Sequence, residues 1–135
     1  MKITLGLIAD SANISLEGKL NILGIFDTIH AMKFPCRNPQ MTLITKIEAE
    51  LTDRHDISRD IKIILEDENA NELFSISGNF DFKNSPPGER GTTSSIITLT
   101  DLVFEEPGNF SFKISIGGKV MADIPLTLRK MLKKA

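Results

Sequence analysis

Alternation of apolar and polar side chains with a period of two residues is the feature that most limits how this chain can fold. It is clearest at residues 109–116, where every even-numbered residue is apolar and every odd-numbered residue is polar. Successive side chains of a β-strand point to opposite faces of the sheet, so this pattern is typical of a strand with one buried face. No segment of about ten residues or more shows a convincing helical period. The sequence therefore predicts an all-β protein.

The alternating segments predict about eight strands separated by turn-forming residues. They lie at residues 2–9, 17–30, 41–51, 61–65, 74–82, 94–104, 109–116 and 120–128. Short strands with such turns favour an antiparallel β-sandwich of Ig-like or Greek-key type, although a barrel fits the same pattern. We expect a single domain over residues 1–135, with a short helical turn in the final segment RKMLKKA. The predicted core contains Phe80, Phe110, Phe112, Ile114, Ile124 and Leu126.

The second predicted strand, at residues 17–30, is apolar on both faces. One face carries Leu20, Ile22 and Phe26, and the other carries Leu23, Ile25 and Ile29. A strand with two apolar faces usually has both of them covered. We therefore expect this strand in the middle of a sheet or beneath a second layer.

Glycine and proline positions predict where strands turn or end. Gly117 and Gly118 separate the last two strands and suit a type I′ turn, in which both central residues need a positive φ. Pro125 cannot donate to a β-ladder, so the last strand should be an edge strand or carry a bulge there. Pro35 and Pro39 indicate a connection between layers rather than the centre of a strand.

The overall charge and the single cysteine limit the classes of function. The formal net charge is −2, which argues against nucleic-acid binding because such proteins need a basic surface. Cys36 has no second cysteine to pair with inside the chain, so we expect a cytoplasmic location. No apolar run reaches the ~18 residues that a membrane span needs. The apolar residues after Lys2 alternate as in a strand, which disfavours a secretion signal.

Local motifs of catalysis are absent from the sequence. It contains no glycine-rich phosphate loop, no G-x-S-x-G nucleophile elbow, and neither of the zinc patterns C-x-x-C and H-E-x-x-H. We therefore predict no catalytic residue, no metal-binding residue and no cofactor, and we expect that the protein is not an enzyme.

One acidic segment, Asp53-Arg54-His55-Asp56, could still contribute ligands to a divalent ion. Calcium takes roughly six to eight oxygen ligands, usually from more than one loop, so further carboxylates would have to lie nearby. The candidates for this are Asp10, Asp67, Glu68 and Glu72. A solvated turn is the favoured interpretation, and the sequence leaves open whether Asp53, His55 and Asp56 bind an ion.

Three stretches together resemble a family of small uncharacterised bacterial proteins. They are EGKLNILGIFDTI, FPCRNPQMTLITKI and FEEPGNFSFKISIGGKVMADIPL, and the likeness spans most of the chain. The resemblance implies a bacterial or phage origin and a β-sandwich domain. It implies no activity, cofactor or catalytic residue, since its motifs are turn and strand signatures.

These observations favour a non-catalytic binding or accessory module with an unknown protein partner and no membrane contact. Residues 83–94 are the main candidate surface, because their prolines and glycines oppose regular pairing and charged residues stand between them. The candidate contact residues are Ser85, Pro86, Pro87, Gly88, Glu89 and Arg90. A plain flexible connector is the competing interpretation. Residues 35–39 and the edge around Asp123-Ile124-Pro125 are further candidates, and the latter could join two copies in a homodimer.

Two other functions stay open at this stage. One is a metal-dependent hydrolase built from the acidic loops, and the other is a structural subunit of a phage particle. A binding module works through surface complementarity, whereas the hydrolase would need several carboxylates to converge on one point. The position of the acidic side chains in the fold therefore bears on the choice.

Overall fold

A computed structural model describes residues 1–86 and 88–132 of the chain. These residues form nine β-strands and contain no helix, which confirms the all-β prediction. The strands are β1 (Lys2–Ile14), β2 (Leu20–Phe26), β3 (Thr28–Ala31), β4 (Cys36–Glu48), β5 (Arg59–Asp67), β6 (Glu72–Phe80), β7 (Thr92–Phe104), β8 (Gly108–Ile116) and β9 (Lys119–Lys130). Within these described residues nothing helical is long and apolar enough to cross a membrane.

The strands build two sheets. The four-stranded sheet has the order β2-β1-β4-β7, and the five-stranded sheet has the order β3-β9-β8-β5-β6. Every adjacent pair is antiparallel except β3 and β9, which run parallel. Two separate sheets with buried side chains between them make a β-sandwich, so the sandwich prediction is confirmed and the barrel alternative is not.

Two clusters of buried side chains fill the space between the sheets. The larger cluster contains most of the predicted core residues, namely Phe112, Ile114, Ile124 and Leu126. Phe110 packs at the margin of this cluster and is only partly buried. Phe80 packs instead against the smaller cluster, which includes Phe82 and Ile116. The alternating pattern thus identified the inward face of each strand, while the division into two clusters depends on how the strands are paired.

The segment predicted as one long second strand is in fact two strands in different sheets. β2 ends at Phe26, and β3 begins at Thr28 beside β9 in the opposite sheet. The prediction that this strand lies in the middle of a sheet is wrong, because β2 is the outermost strand of the four-stranded sheet. A period of two continues unchanged through a crossing residue such as Asp27, so alternation alone could not show the switch.

The expected connection around the two prolines is shorter than predicted. Only residues 32–35 lie outside the strands, and β4 already begins at Cys36. Pro39 therefore lies inside β4, contrary to the prediction. It is tolerated because the β4–β7 ladder skips one position there, between the pairs Asn38–Leu102 and Gln40–Thr100. Asp101 stands in that gap with a φ of 55°.

The carboxyl-terminal hairpin follows the prediction closely. Ile116 pairs with Lys119, so Gly117 and Gly118 form a two-residue turn with φ values of 59° and 84°. β9 is not an edge strand along its whole length, but its pairing with β3 begins only at Thr127. The Thr127 N–H donates to the Asp27 carbonyl, and the nitrogen of Pro125 points the same way because N–H directions alternate along a strand. Pro125 therefore lacks its N–H donor on the side of β9 that β3 does not cover at this position.

The expected helical turn at the carboxyl end lies partly beyond the described residues. Arg129 and Lys130 belong to β9, and Met131 and Leu132 are not helical. The remaining residues of that prediction, 133–135, lie outside the described part of the chain.

Candidate functional site

The two surfaces singled out from the sequence lie at the same end of the sandwich. The loop after β4, at residues 49–58, contains the acidic segment, and the loop after β6, at residues 81–91, contains the predicted contact residues. The Phe82 N–H donates to the His55 carbonyl across 3.2 Å, which ties the two loops together. We call this region the loop end.

Asp53 holds the first of these loops in place. Its carboxylate accepts a 2.7 Å hydrogen bond from the Glu50 N–H and lies 2.9 Å from the amino group of Met1. Arg59 contributes a longer ion pair at 3.9 Å. The amino group of Met1 and then the Glu50 N–H lower the pKa of Asp53, against a smaller opposing effect of burial. Asp53 is therefore an ionised side chain with protein partners, as expected of a residue that shapes a turn.

The other members of the acidic segment point in different directions. Arg54 forms a two-pronged ion pair with Asp56, with distances of 3.2 and 2.8 Å, and this pairing lowers the pKa of Asp56. The ring of His55 instead packs against Phe82, with ring centres 6.0 Å apart. Its Nδ1 atom is buried and has no hydrogen-bond partner among the described residues. The segment thus resembles the solvated turn that the sequence favoured more than a ligand set.

The structure does not bring the other predicted carboxylates to the loop end. Asp67, Glu68 and Glu72 lie at or beside the β5–β6 turn at the opposite end, and Asp10 lies on β1. Among the described residues, no group of three or more His, Cys, Asp or Glu side chains is arranged to hold a metal ion. Asp67 caps its own turn by accepting the N–H groups of Asn69 and Asn71, and these bonds lower its pKa.

The predicted contact loop is anchored at both ends. Phe82 and Gly91 are buried, and the Gly91 carbonyl accepts a 2.7 Å hydrogen bond from the Ala49 N–H. Ser85 is partly buried, and its hydroxyl accepts a hydrogen bond from the Thr92 N–H. The described residues between these anchors that stay open to solvent are Lys83, Asn84, Pro86, Gly88, Glu89 and Arg90. Pro87, also predicted as a contact residue, lies outside the described residues. A partner-binding role for this loop stays a prediction.

A second surface was not recognised from the sequence. The β1–β4 ladder ends where Ala9 pairs with Thr42, and beyond this point β1 pairs with β2 alone. Residues 10–25, which we call the arm, therefore form a two-stranded hairpin attached to the sheet at one end. A hairpin of this kind depends on outside contacts for stability more than a strand in a wider sheet does.

The arm exposes large apolar side chains. Leu23 and Ile25 are 70% and 65% exposed, and Leu16 at the hairpin tip is fully exposed. Ile14 near the tip is half exposed. β2 itself, with the sequence LNILGIF, carries no charged residue. Single exposed apolar residues are ordinary, but a group of them on one hairpin marks a candidate contact surface.

The outer face of the four-stranded sheet next to the arm also carries apolar side chains. Ile8 and Phe26 pair across the sheet and face the core, so the neighbouring pair Ala9–Ile25 faces outward. The same alternation places Leu7, Ile44 and Ile96 on the outer face, where Ala9 and Ile44 are fully buried and Leu7 and Ile96 are partly exposed. In the central part of this outer face the charged residue is Lys46. The other charged side chains of the face lie near the ends of the sheet.

The outer face of the five-stranded sheet has the opposite character. Lys113 lies there between two carboxylates, 2.9 Å from Asp123 and 3.4 Å from Glu66. The hydrogen bond with Asp123 is the main reason why the pKa of Lys113 is raised. A face covered by paired charges is well solvated and favours exposure to water. The two outer faces therefore differ in the surface that they offer to another protein.

Comparisons with known proteins give a family match and a structural likeness. A protein-family model described as a family of unknown function (DUF6941) matches residues 4–129. No curated protein matches the chain significantly. Among solved structures, the alkylpurine DNA glycosylase AlkC of Pseudomonas fluorescens, bound to DNA containing an abasic site analog, is similar with a TM-score of 0.43 and 9% sequence identity. The alignment covers 92% of this chain and 30% of the glycosylase chain.

Proposed function

The chain belongs to this family of unknown function, DUF6941, and we propose that it is a non-catalytic binding module that contacts another protein through its arm. The observation that carries the proposal is the set of exposed apolar side chains on an uncharged outer strand. Leu23 and Ile25 stand next to each other on the outward face of that strand, and Leu16 extends the set to the hairpin tip. We place the protein in the cytoplasm, where the single cysteine stays reduced.

The arm supports this role better than the loop end does. Burying apolar side chains contributes roughly 25 cal/mol per Å² of area removed from water, which makes Leu23 and Ile25 effective anchors for a partner. The exposed residues of the loop at 83–90 are polar, glycine or proline, and Arg90 already pairs with Glu48 at 3.1 Å. The partner that fits the arm is a polypeptide surface with few charges and exposed apolar side chains.

The hydrolase alternative has less support from the geometry. A metal-dependent reaction needs carboxylates that converge on one ion. Asp53 is held by the Met1 amino group and the Glu50 N–H, whereas Asp67 lies at the other end of the sandwich. No specific observation favours this function over a binding module.

Site-specific photo-crosslinking in cells of the native host tests the proposal. A photoreactive amino acid replaces Leu16 or Leu23 on the arm, Glu89 on the loop, or Ser77 on the five-stranded sheet. We expect the arm positions to give a discrete covalent adduct with another protein, and Ser77 to give none. The adduct should weaken when Ile25 is also changed to Lys, since that places a charge in the apolar surface. Adducts that form at Glu89 and not at the arm would move the binding surface to the loop and overturn the proposal.

A further inference from the structure

The outer strands of the two sheets differ in how well they are protected against pairing with another chain. Exposed edge strands usually carry charges or prolines, or are very short, because their unpaired backbone groups can pair with a neighbour. β3 has only four residues, β6 contains Glu72, and β7 contains Asp101 with its left-handed backbone. β2 has seven residues and neither a charge nor a proline, and its left-handed residue is Gly24, with a φ of 72°. It is the longer of the two uncharged edge strands that the structure describes.

The backbone of β2 presents hydrogen-bonding groups on its outer side. The Ser15 N–H donates to the Lys19 carbonyl across 2.8 Å, so the backbone N–H and C=O groups of Lys19 point toward β1. Directions alternate along a strand, which turns the groups of Leu20 and Ile22 away from β1. Among the described strands, none lies on that side of β2. These groups are therefore available to an added strand.

The residues that flank β2 carry opposite charges. Lys19 precedes the strand and Asp27 follows it. If two copies of β2 run antiparallel about a twofold axis at Leu23, Leu20 of each copy lies opposite Phe26 of the other. The same register places Lys19 of each copy opposite Asp27 of the other. The strand is thus complementary to itself in charge, and the axis repeats each contact. The same register places Ile22 opposite Gly24, whose left-handed backbone interrupts the new ladder.

We propose that the occupant of the β2 edge is a second copy of this chain, paired antiparallel with Leu23 at the twofold axis. The two four-stranded sheets then form one continuous sheet across the dimer. Leu23 meets its own copy on the outer face, and Ile25 lies opposite Asn21 of the other subunit. This inference goes beyond the proposed function, because the dimer uses the β2 edge and Leu23, whereas Leu16 at the hairpin tip stays exposed to another protein.

The edge around Asp123-Ile124-Pro125 is less suitable for such pairing. The nitrogen of Pro125 points toward the open side, where a proline leaves a gap in any added ladder. Lys119 and Asp123 add charges to the same strand. Both features are common protections against pairing of edges, so the self-association expected from the sequence is placed at β2 instead.

Sedimentation velocity of the purified chain, with charge variants at Leu23, tests the inference. We expect the 15.0 kDa chain to form a species of twice that mass with a dissociation constant in the micromolar range, since one strand pair buries less than the roughly 1,600 Å² of a standard interface. Leu23→Lys and Leu23→Glu should each weaken the dimer at least about tenfold, because like charges then meet at the axis. Mixing the two variants should restore a dimer, because Lys then faces Glu.

The controls separate this inference from a fault in folding and from the proposed function. Leu23 is exposed in the monomer, so each variant should keep the wild-type melting temperature when both are measured at concentrations well below the dissociation constant, where the wild type is monomeric. Leu73→Lys on the opposite edge strand β6 should leave association unchanged. A wild-type chain that stays monomeric at about 0.5 mM overturns the dimer, as does a mixture of variants that fails to associate. A monomer that still gives arm adducts with another protein in cells would leave the proposed function standing. A dimer without such adducts would leave the dimer inference standing and overturn the proposed function.

Discussion

Gly91 lies so close to Phe82 that a Cβ atom at position 91 would stand 2.9 Å from the Phe82 Cβ. Both residues are buried, and together they fix the two ends of the loop that the sequence marked as a contact surface. The Gly91 carbonyl is also the acceptor for the Ala49 N–H. The loop is therefore a short exposed excursion between two packed anchors, and its anchors and its exposed part should respond differently to mutation.

Replacing Gly91 with Ala should destabilise the fold by about 1–3 kcal/mol, because the added methyl group overpacks the site beside Phe82. Urea denaturation would measure the change as a lower midpoint with an unchanged slope. Gly78→Ala is the matched control, since a Cβ there would lie 3.9 Å from its nearest neighbour, Ile61. Equal stability of the two variants would show that the loop can shift away from Phe82.

Replacing residues 85–90 with a Gly-Ser linker of the same length should change the free energy of unfolding by less than about 1 kcal/mol. The linker keeps the loop length, so the closure entropy changes little, and the Ser85–Thr92 hydrogen bond is an exposed contact. Extending the replacement through Gly91 should cost more, because it removes the glycine that fits against Phe82. A large loss from the shorter replacement would mean that the exposed part of the loop is structural.

The turn between β8 and β9 should tolerate only residues that accept a left-handed backbone. A Cβ at Gly117 or Gly118 would meet no atom within 4 Å, so the effect of substitution comes from the backbone alone. Gly118→Val should cost about 1–2 kcal/mol, measured by thermal or urea unfolding. Gly117→Asn is the control and should cost little, because asparagine is common in type I′ turns. A neutral Gly118→Val would contradict the observed turn.

A mutation at Phe112 tests how much the larger core cluster contributes to stability. Phe112 is fully buried in the middle of β8, paired with Leu65 on one side and Ile124 on the other. Phe112→Ala should lower the free energy of unfolding by about 3–5 kcal/mol through lost burial and a residual cavity. Leu73→Ala, at a partly exposed position on β6, should cost much less. A loss below about 1 kcal/mol at Phe112 would place its ring at the surface.

The sequence predicted strands and turns well because both depend on local chemistry. Alternation marked the inward face of β8, and the Gly117-Gly118 pair marked its turn. Alternation does not show which sheet a strand joins, and for this reason the crossing at Asp27 and the edge position of β2 were missed. Pro39 was misplaced for a related reason, since the gap opposite Asp101 that tolerates it is formed by a distant segment.

The candidate site was harder to predict than the fold. The two apolar faces of β2 were visible in the sequence and were interpreted as evidence of burial. The face with Leu23 and Ile25 is exposed instead, on a hairpin that extends past the point where the β1–β4 ladder stops at Ala9, and this depends on tertiary structure. The one signal that could have indicated an edge was the absence of charge from a strand with apolar residues on both faces. The acidic segment, in contrast, is built from local hydrogen bonds and matched its expected role as a turn.

The Asp67 turn should make stability depend on pH in the acid range. Asp67 accepts hydrogen bonds from the Asn71 and Asn69 N–H groups and from the Asn71 side chain. These bonds favour the carboxylate and lower its pKa below 3.8 in the folded chain, with the Asn71 N–H as the largest cause. A lowered folded pKa adds stability that is present above the unfolded pKa and is lost as pH falls through the folded value.

Asp67→Asn should therefore be less stable than the wild type near neutral pH, and the difference should shrink toward zero as the pH falls through the lowered folded pKa of Asp67. Urea denaturation at a series of pH values would give both curves. Glu68→Gln removes the same charge from the neighbouring residue and corrects for the general effect of net charge. A gap between wild type and Asp67→Asn that is the same at neutral and acid pH would show that the turn does not depend on the charge of Asp67, and that hydrogen-bond geometry alone holds it.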